Sequence, residues 1–421
     1  MSWSNITIGD LVGRAEAEVK TGPFGTQLRA SDYVEKGTPV INVRNIGFGN
    51  IRHDKLEYIP EDVVTRLSGH LLRKGDIVFG RKGAVERHVY ITDAQNRWFQ
   101  GSDCLRLRLL SEENVLSKYL SFTFLTHEHQ SWMMQQCSHG ATMASLNQDI
   151  IKRIHLRLPS IEQQKIIVDI LSAYDDLIEN NTRRIGILEE IARRLYEEWF
   201  VHFRFPGHEE VSFKESELGR NPEGWEVKGL YDIAEVTYGH PFKAKQFNDH
   251  REGLGAVRIR DIRDGQVKTY TTEEGKPKHI IENGDILVGM DGQFHMGKWA
   301  GGKAWLVQRV ARFRPTQPMS RYLLFLTIER PIKHLEETIV GTTVAHLSAK
   351  DLKAMKVVVP EEATLKIMAD ALEPMYELEM RLKRKNVNLR AQRDLLLPKL
   401  VSGEIDASNI SMPNDKEVEA A

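Results

Sequence analysis

GQFHMGK, residues 292–298, sets glycine and lysine at the spacing of a phosphate-binding loop. Such a loop needs a Ser or Thr after the lysine to hold magnesium, and a helix to follow. Here Trp299 follows, then AGGKAW, a poor helix start, so the spacing carries no nucleotide binding. Asp76 and Asp285 are the obvious carboxylate pair for a nuclease-type site, because both sit in Gly-Asp-Ile. A turn leading into a strand explains them more cheaply. The run HEH at 127–129 has no third ligand at sensible spacing and reads as a solvated helix end. Cys104 lies in an alternating strand and reads as core. Cys104 and Cys137 form neither a disulfide framework nor a metal cluster. The chain reads as a binder that positions chemistry carried elsewhere, although composition alone leaves open carboxylates that meet in space.

The elements that would position a binding surface come in duplicate. The stretch GATMASLNQDIIKRIHLRLP ends at Pro159, and GTTVAHLSAKDLKAMKVVVP ends at Pro360, in the same register 201 residues later. The likeness extends toward the N-terminus. WSNITIGDL from Trp3 resembles WEVKGLYDI from Trp225, and GPFG (22–25) matches GHPF (239–242). PVINVRNI (39–46) matches AVRIRDI (256–262), RKGDIVFGRKG (73–83) matches ENGDILVGMDG (282–292), and CLRLR (104–108) matches VARFR (310–314). The first and last of these pairs alternate as strands. YLSFTFLT (119–126) matches YLLFLT (322–327), a buried helix or strand. The offset falls steadily from 222 to 201, as two related domains with small loop deletions would give.

A helical stretch follows each proline. In 161–200, Leu171, Ile178, Ile185, Ala192 and Trp199 recur every seven residues, with Leu188 and Leu195 in the neighbouring row. In 362–400, Met368, Met375, Leu382, Leu389 and Leu396 do the same. This stride is a coiled-coil signal. Asn181 falls in the seam, where a polar residue can fix register. Pro374 is expected to bend the start of the second helix. Forty helical residues span about 60 Å. The expected fold is α+β: two similar α/β domains separated by two long antiparallel coiled-coil helices, a pseudo-twofold internal repeat. Two independent helices, each packed on its own domain, are the alternative.

The chain has 421 residues and 41% hydrophobic content, enough for two domains with proper cores. No run is long enough to span a bilayer, and MSWSNITIGD lacks the pattern of a secretory signal, so a cytoplasmic protein is expected. Net charge is −1, yet 1–160 and 201–360 each carry +3, while 161–200 and the tail 403–421 each carry −4. This permits nucleic-acid binding without demanding it.

Two related but different readers on a rod suit an asymmetric, two-part target such as duplex DNA. Candidate DNA contacts are Arg44, Asn45, Arg81, Lys82, His139 and Thr142 in the first module. In the second they are Arg258, Arg260, Gln293, His295, Lys298 and Thr343. Arg and Lys can pair with guanine edges, Asn and Gln with adenine edges. A protein scaffold without a DNA role, or less simply a stand-alone nuclease, stays open on these residues alone.

In combination the motifs resemble the specificity subunits of type I restriction-modification enzymes, the HsdS family, over nearly the whole chain. LPSIEQQKIIVDIL (158–171) and YEEWFVHFRFPG (196–207) resemble the two ends of the family's central conserved region. ELGRNPEGWEVKGLYDIAEV (217–236) resembles the start of its second target-recognition domain, and LLLPKLVSGEI (395–405) its distal conserved region. GDIVFGRKG and GDILVGMDG resemble a segment common to the recognition domains. The resemblance implies recognition domains at 1–160 and 206–360 and conserved helical regions at 161–205 and 361–405; the remaining 406–421 is acidic by its charges and expected to be a flexible tail. It implies that each domain reads half of a split, asymmetric site, and that the helices recruit two methyltransferase subunits and act as a ruler between the modified adenines. Restriction and motor subunits join for cleavage. S-adenosylmethionine, ATP and magnesium then belong to the partners, with no cofactor or metal on this chain and no membrane association. The first domain lacks the PEGW lead of the second, and the loops at 84–103 and 293–309 differ, as different targets would require.

Overall fold

A computed structural model describes residues 3–138, 144–339 and 345–410. The chain divides into two compact units, Met1–Asp175 with Ala391–Ala421, and Asp176–Arg390, so both boundaries fall inside long helices. No helix among the described residues is long and apolar enough to cross a membrane.

The first unit opens with the strand Ser4–Thr7, which pairs antiparallel with His155–Leu158. The segment closing at Pro159 therefore returns to the strand that began the unit, and a helix follows at once. The main sheet runs in the order Ala17–Thr21, Cys104–Leu109, Ile77–Gly80, His88–Tyr90, Phe48–Gly49. In a second, smaller sheet Thr38–Ile41 pairs parallel with Phe99–Gln100.

The second unit repeats this plan with the same register. Glu226–Gly229 pairs antiparallel with Lys356–Val359. Its main sheet is Ala234–Tyr238, Val310–Pro315, Ile286–Gly289, Met296–Lys298. Ile77 faces Leu107 in the first unit, and Ile286 faces Phe313 in the second. Leu254–Val257 pairs parallel with Ala304–Leu306, as Thr38–Ile41 does with Phe99–Gln100.

The Gly-Asp-Ile carboxylates are structural. Asp76 accepts from the Arg73 amide at 2.7 Å and takes the Arg108 fork at 2.6 and 2.7 Å. Asp285 accepts from the Glu282 amide at 2.8 Å and takes Arg314 at 2.6 and 2.9 Å. A bidentate Arg–carboxylate pair is among the stronger charged hydrogen bonds. It ties the turn before one strand to the strand beside it.

Some expectations change and others are decided. The segments 39–46 and 256–262 are strand only in their first halves. Each then turns into a short helical element, Val43–Asn45 and Ile259–Asp264. The cause is a side chain that satisfies the backbone amide three residues earlier: Asn45 Oδ1 accepts from Asn42, and Asp261 Oδ2 from Arg258. The paired YLSFTFLT and YLLFLT segments are helices, Ser117–Phe124 and Arg321–Thr338. His129 of HEH is buried and stacks on Phe124 with ring centroids 4.6 Å apart, so it is not solvated. Residues 292–298 form the turn and return strand of an antiparallel hairpin, which has no helix for a phosphate to meet.

The two long helices are Ile161–Tyr196 and Glu362–Ser402, the second continuing through Pro374. Within the first unit, Asp175 pairs with Arg393 and Gln163 bonds Asp406. Within the second, Asn181 bonds Asn386 and Glu189 pairs with Lys383. In both units higher numbers on one helix meet lower numbers on the other, so the helices run antiparallel. Leu171, Ile178, Ile185, Ala192 and Trp199 are buried, and Leu188 and Leu195 half-buried. On the second helix Met368 and Leu382 are buried, and Met375, Leu389 and Leu396 half-buried. The core of the first unit combines Ile167 and Leu171 with Leu397, Leu400 and Val401. The core of the second combines Ala192 and Trp199 with Leu365, Met368 and Leu372. Each unit is thus sealed by segments of both helices, which sets aside two independent helices.

Candidate nucleic-acid interface

In each unit a hairpin and an arginine-bearing turn come together at one end of the main sheet. Gly80 ends the outgoing hairpin strand of the first unit. A Cβ there would lie 3.3 Å from Val43 Cγ1 and 3.0 Å from the Ala84 carbonyl oxygen. Gly289 is its counterpart, where a Cβ would lie 2.9 Å from Ile259 Cγ2. Glycine lets the turn carrying Arg44, or Arg260, pack directly on the hairpin. Both arginines are exposed on equivalent turns. Arg44 pairs with Glu57 at 2.7 Å, while Arg260 bonds the Thr269 hydroxyl at 3.0 Å. Arg258 precedes the second turn, its guanidinium 4.4 Å from the centre of the Phe247 ring.

The hairpin tips carry the other candidates. Arg81 is half-buried and Lys82 exposed; in the second unit Gln293 is exposed and His295 half-buried. The turn glycines Gly83 and Gly292 have φ of 74° and 71°, a left-handed backbone that glycine adopts freely. Their amides donate to the carbonyls of Ala144 and Ala345, just past the segments 139–143 and 340–344. His139, Thr142 and Thr343 lie outside the described residues.

Two expected contacts have their polar groups engaged inside the protein. Asn45 is fully buried; its amide donates to the carbonyls of Arg52 and Asp54 while its oxygen caps the turn. Asp261, its counterpart, is also buried, and burial pushes its carboxyl above the ordinary value despite the Arg258 amide. The Lys298 side chain is only 4% exposed. Its ammonium lies 2.7 Å from Glu379 and 3.2 Å from Glu189, and over the rings of Tyr322 and Phe325. Burial lowers the Lys298 ammonium, against the pull of the two carboxylates. Burial works against ionising Glu189, but Lys298 and Lys383 outweigh it and hold its carboxyl down to about 2. Lys298 ties the hairpin to both long helices.

Side-chain pairs at the tips escaped the sequence reading. In the first unit Lys82 Nζ is 3.4 Å from Asp103. At the equivalent place in the second, Arg309 Nε is 3.2 Å from Asp291, and His346 Nδ1 is 2.5 Å from the same carboxylate. The signal in the sequence is a reversal of charge: Lys82 aligns with Asp291, and Asp103 with Arg309.

Among the described residues no group of three or more His, Cys, Asp or Glu could hold a metal ion. The fold defines two modules of one plan, each presenting exposed polar residues on an equivalent hairpin and turn. The family described as the type I restriction modification DNA specificity domain matches residues 3–190 and 222–389, and the chain belongs to it. It is a specificity subunit of a type I restriction-modification enzyme, the DNA-recognising and non-catalytic component. The specificity subunit of type I restriction enzyme MjaIX from Methanocaldococcus jannaschii is 25% identical over 362 residues, covering 82% of this chain and 81% of that protein. The HindI specificity subunit from Haemophilus influenzae is 21% identical over 434 residues, covering 86% and 94%. The crystal structure of a type I restriction-modification S subunit from M. genitalium shares the fold, with a TM-score of 0.59 at 15% identity over 95% of this chain and 96% of that one.

Proposed function

We propose that the chain reads a split, asymmetric site in duplex DNA, one half with residues 1–160 and the other with 206–360. The observation that carries this reading is the repeated tip: the backbone register is the same in both units, while the exposed side chains differ. Equal frames with unequal side chains suit two different half-sites. Arg44, Arg81 and Lys82 serve the first half, and Arg258, Arg260, Gln293 and His295 the second. Asn45 acts by shaping the Arg44 turn and Lys298 by anchoring the second hairpin. His139, Thr142 and Thr343 stay candidate DNA contacts on their place in the sequence alone. The helical regions 161–205 and 361–405 hold two methyltransferase subunits, and restriction and motor subunits complete the complex in the cytoplasm. S-adenosylmethionine, ATP and magnesium are used by those partners.

Co-purification with the methyltransferase subunit, followed by sequencing of the DNA it methylates, tests the reading. The expected result is one bipartite, non-palindromic motif. Methylation or cleavage by the purified chain alone would contradict the non-catalytic assignment.

A further inference from the structure

The tip pairs have opposite polarity on matching frames. Lys82 and Asp291 occupy the same hairpin position, and each makes an isolated antiparallel bridge, Lys82 with Ser145 and Asp291 with His346. Asp103 and Arg309 occupy the same position before the next sheet strand. The first unit therefore presents a donor on the hairpin and an acceptor beside it, and the second unit the reverse.

We propose that each tip pair reads one G·C base pair in the major groove, and that the reversal exchanges which strand carries the guanine relative to its own domain. This rests on the DNA-reading function proposed above. A G·C pair offers acceptors on guanine O6 and N7 and a donor on cytosine N4. A cation beside a carboxylate matches that order, with Arg309 or Lys82 on guanine and Asp291 or Asp103 accepting from cytosine. A phosphate is a poorer target for such a pair, because the carboxylate cancels much of the attraction at a distance and repels the phosphate close by. In the second unit the pair is built more firmly. Arg309 has a left-handed backbone at φ 72°, which a non-glycine residue adopts at a cost. Asp291 takes its Nε, and His346 braces the same carboxylate. Nη1 also lies 3.5 Å from Asp291 Oδ1 and 3.3 Å from His346 Nδ1, and the arginine side chain is 56% exposed.

The test uses the complex with the methyltransferase subunit and a duplex library randomised over the second half-site, with sequencing of methylated products. Arg309→Gln is expected to reduce discrimination for one G·C pair in the second half about tenfold, leaving the first half unchanged. Arg309→Lys keeps the charge but not the fork and is expected to relax the same position. The double variant Asp291→Lys with Arg309→Asp restores the polarity of the first unit and is expected to favour C·G there. Unchanged preference in all three variants overturns the inference. So does a uniform loss across all sequences with a shallower salt dependence, which marks a phosphate contact. Exchange of residues 206–360 for those of another family member separates the two levels. If it changes the second half while the Arg309 variants do not, only this inference fails; if it changes nothing, the DNA-reading function itself fails.

Discussion

Removing the Lys298 ammonium should weaken the second unit by about 3 kcal/mol. The figure follows from its surroundings. Glu379 is fully buried and has Lys298 at 2.7 Å and Lys383 at 2.6 Å. Breaking a buried pair costs about 3–5 kcal/mol, because the remaining charge is stranded. Lys383 stays as a partner, which places Lys298→Met at the lower end. Methionine leaves an unbranched side chain of similar length where the ammonium lay over the Tyr322 and Phe325 rings, so the loss reports on charge rather than on a cavity. Urea unfolding of the full chain, followed by tryptophan fluorescence, is the assay; Trp299 and Trp305 lie in this unit. Adding Glu379→Leu to Lys298→Met should recover most of the loss, since an apolar pair replaces a stranded carboxylate. A single variant that costs less than about 1 kcal/mol, or a double variant no better than the single, would refute the reasoning.

Asn386→Leu should cost about 1–3 kcal/mol, because it strands the buried Asn181 amide that donates to Asn386 at 2.9 Å, and Asn181→Leu in the same chain should restore most of it. Urea midpoints of the three variants check this. The first unit should lose stability as the pH falls below about 6.5. Burial holds the His88 imidazole down to about 3 and His129 to about 4, from the ordinary value of 6.5. Both are neutral when folded and bind protons when unfolded, so the unfolded state gains more protons between those values and stability drops with pH. Thermal melts at pH 7 and pH 5 should show the decline, and His88→Met, which installs the residue found at the matching position 296, should flatten it.

Repetition made the frame legible. Strand alternation at 104–108 and 310–314 reads directly as sheet, because residues on the two faces differ in polarity at a period of two, although Arg106 and Arg312 on the polar face are buried. The seven-residue stride of the long helices shows in the same way, since Ile178 and Ile185 must be buried against something apolar. The segments 39–46 and 256–262 were harder. Their apolar spacing continues beyond the strand, and only the capping geometry of Asn45 and Asp261 ends it. Lys298 was illegible for another reason. Its partners Glu189 and Glu379 lie far away in sequence on two different helices, and a lysine beside glycine at a hairpin looks solvent-bound. The Arg309–Asp291 pair was hidden because alignment by likeness passes over positions where the two units carry opposite charges.

Two units built on one plan should read DNA independently of each other. The most direct test is to replace residues 1–157 with the corresponding domain of another family member, purify the complex with its methyltransferase subunits, and sequence the methylated DNA. One half of the bipartite motif should change while the other half is retained. A motif altered in both halves would contradict that independence.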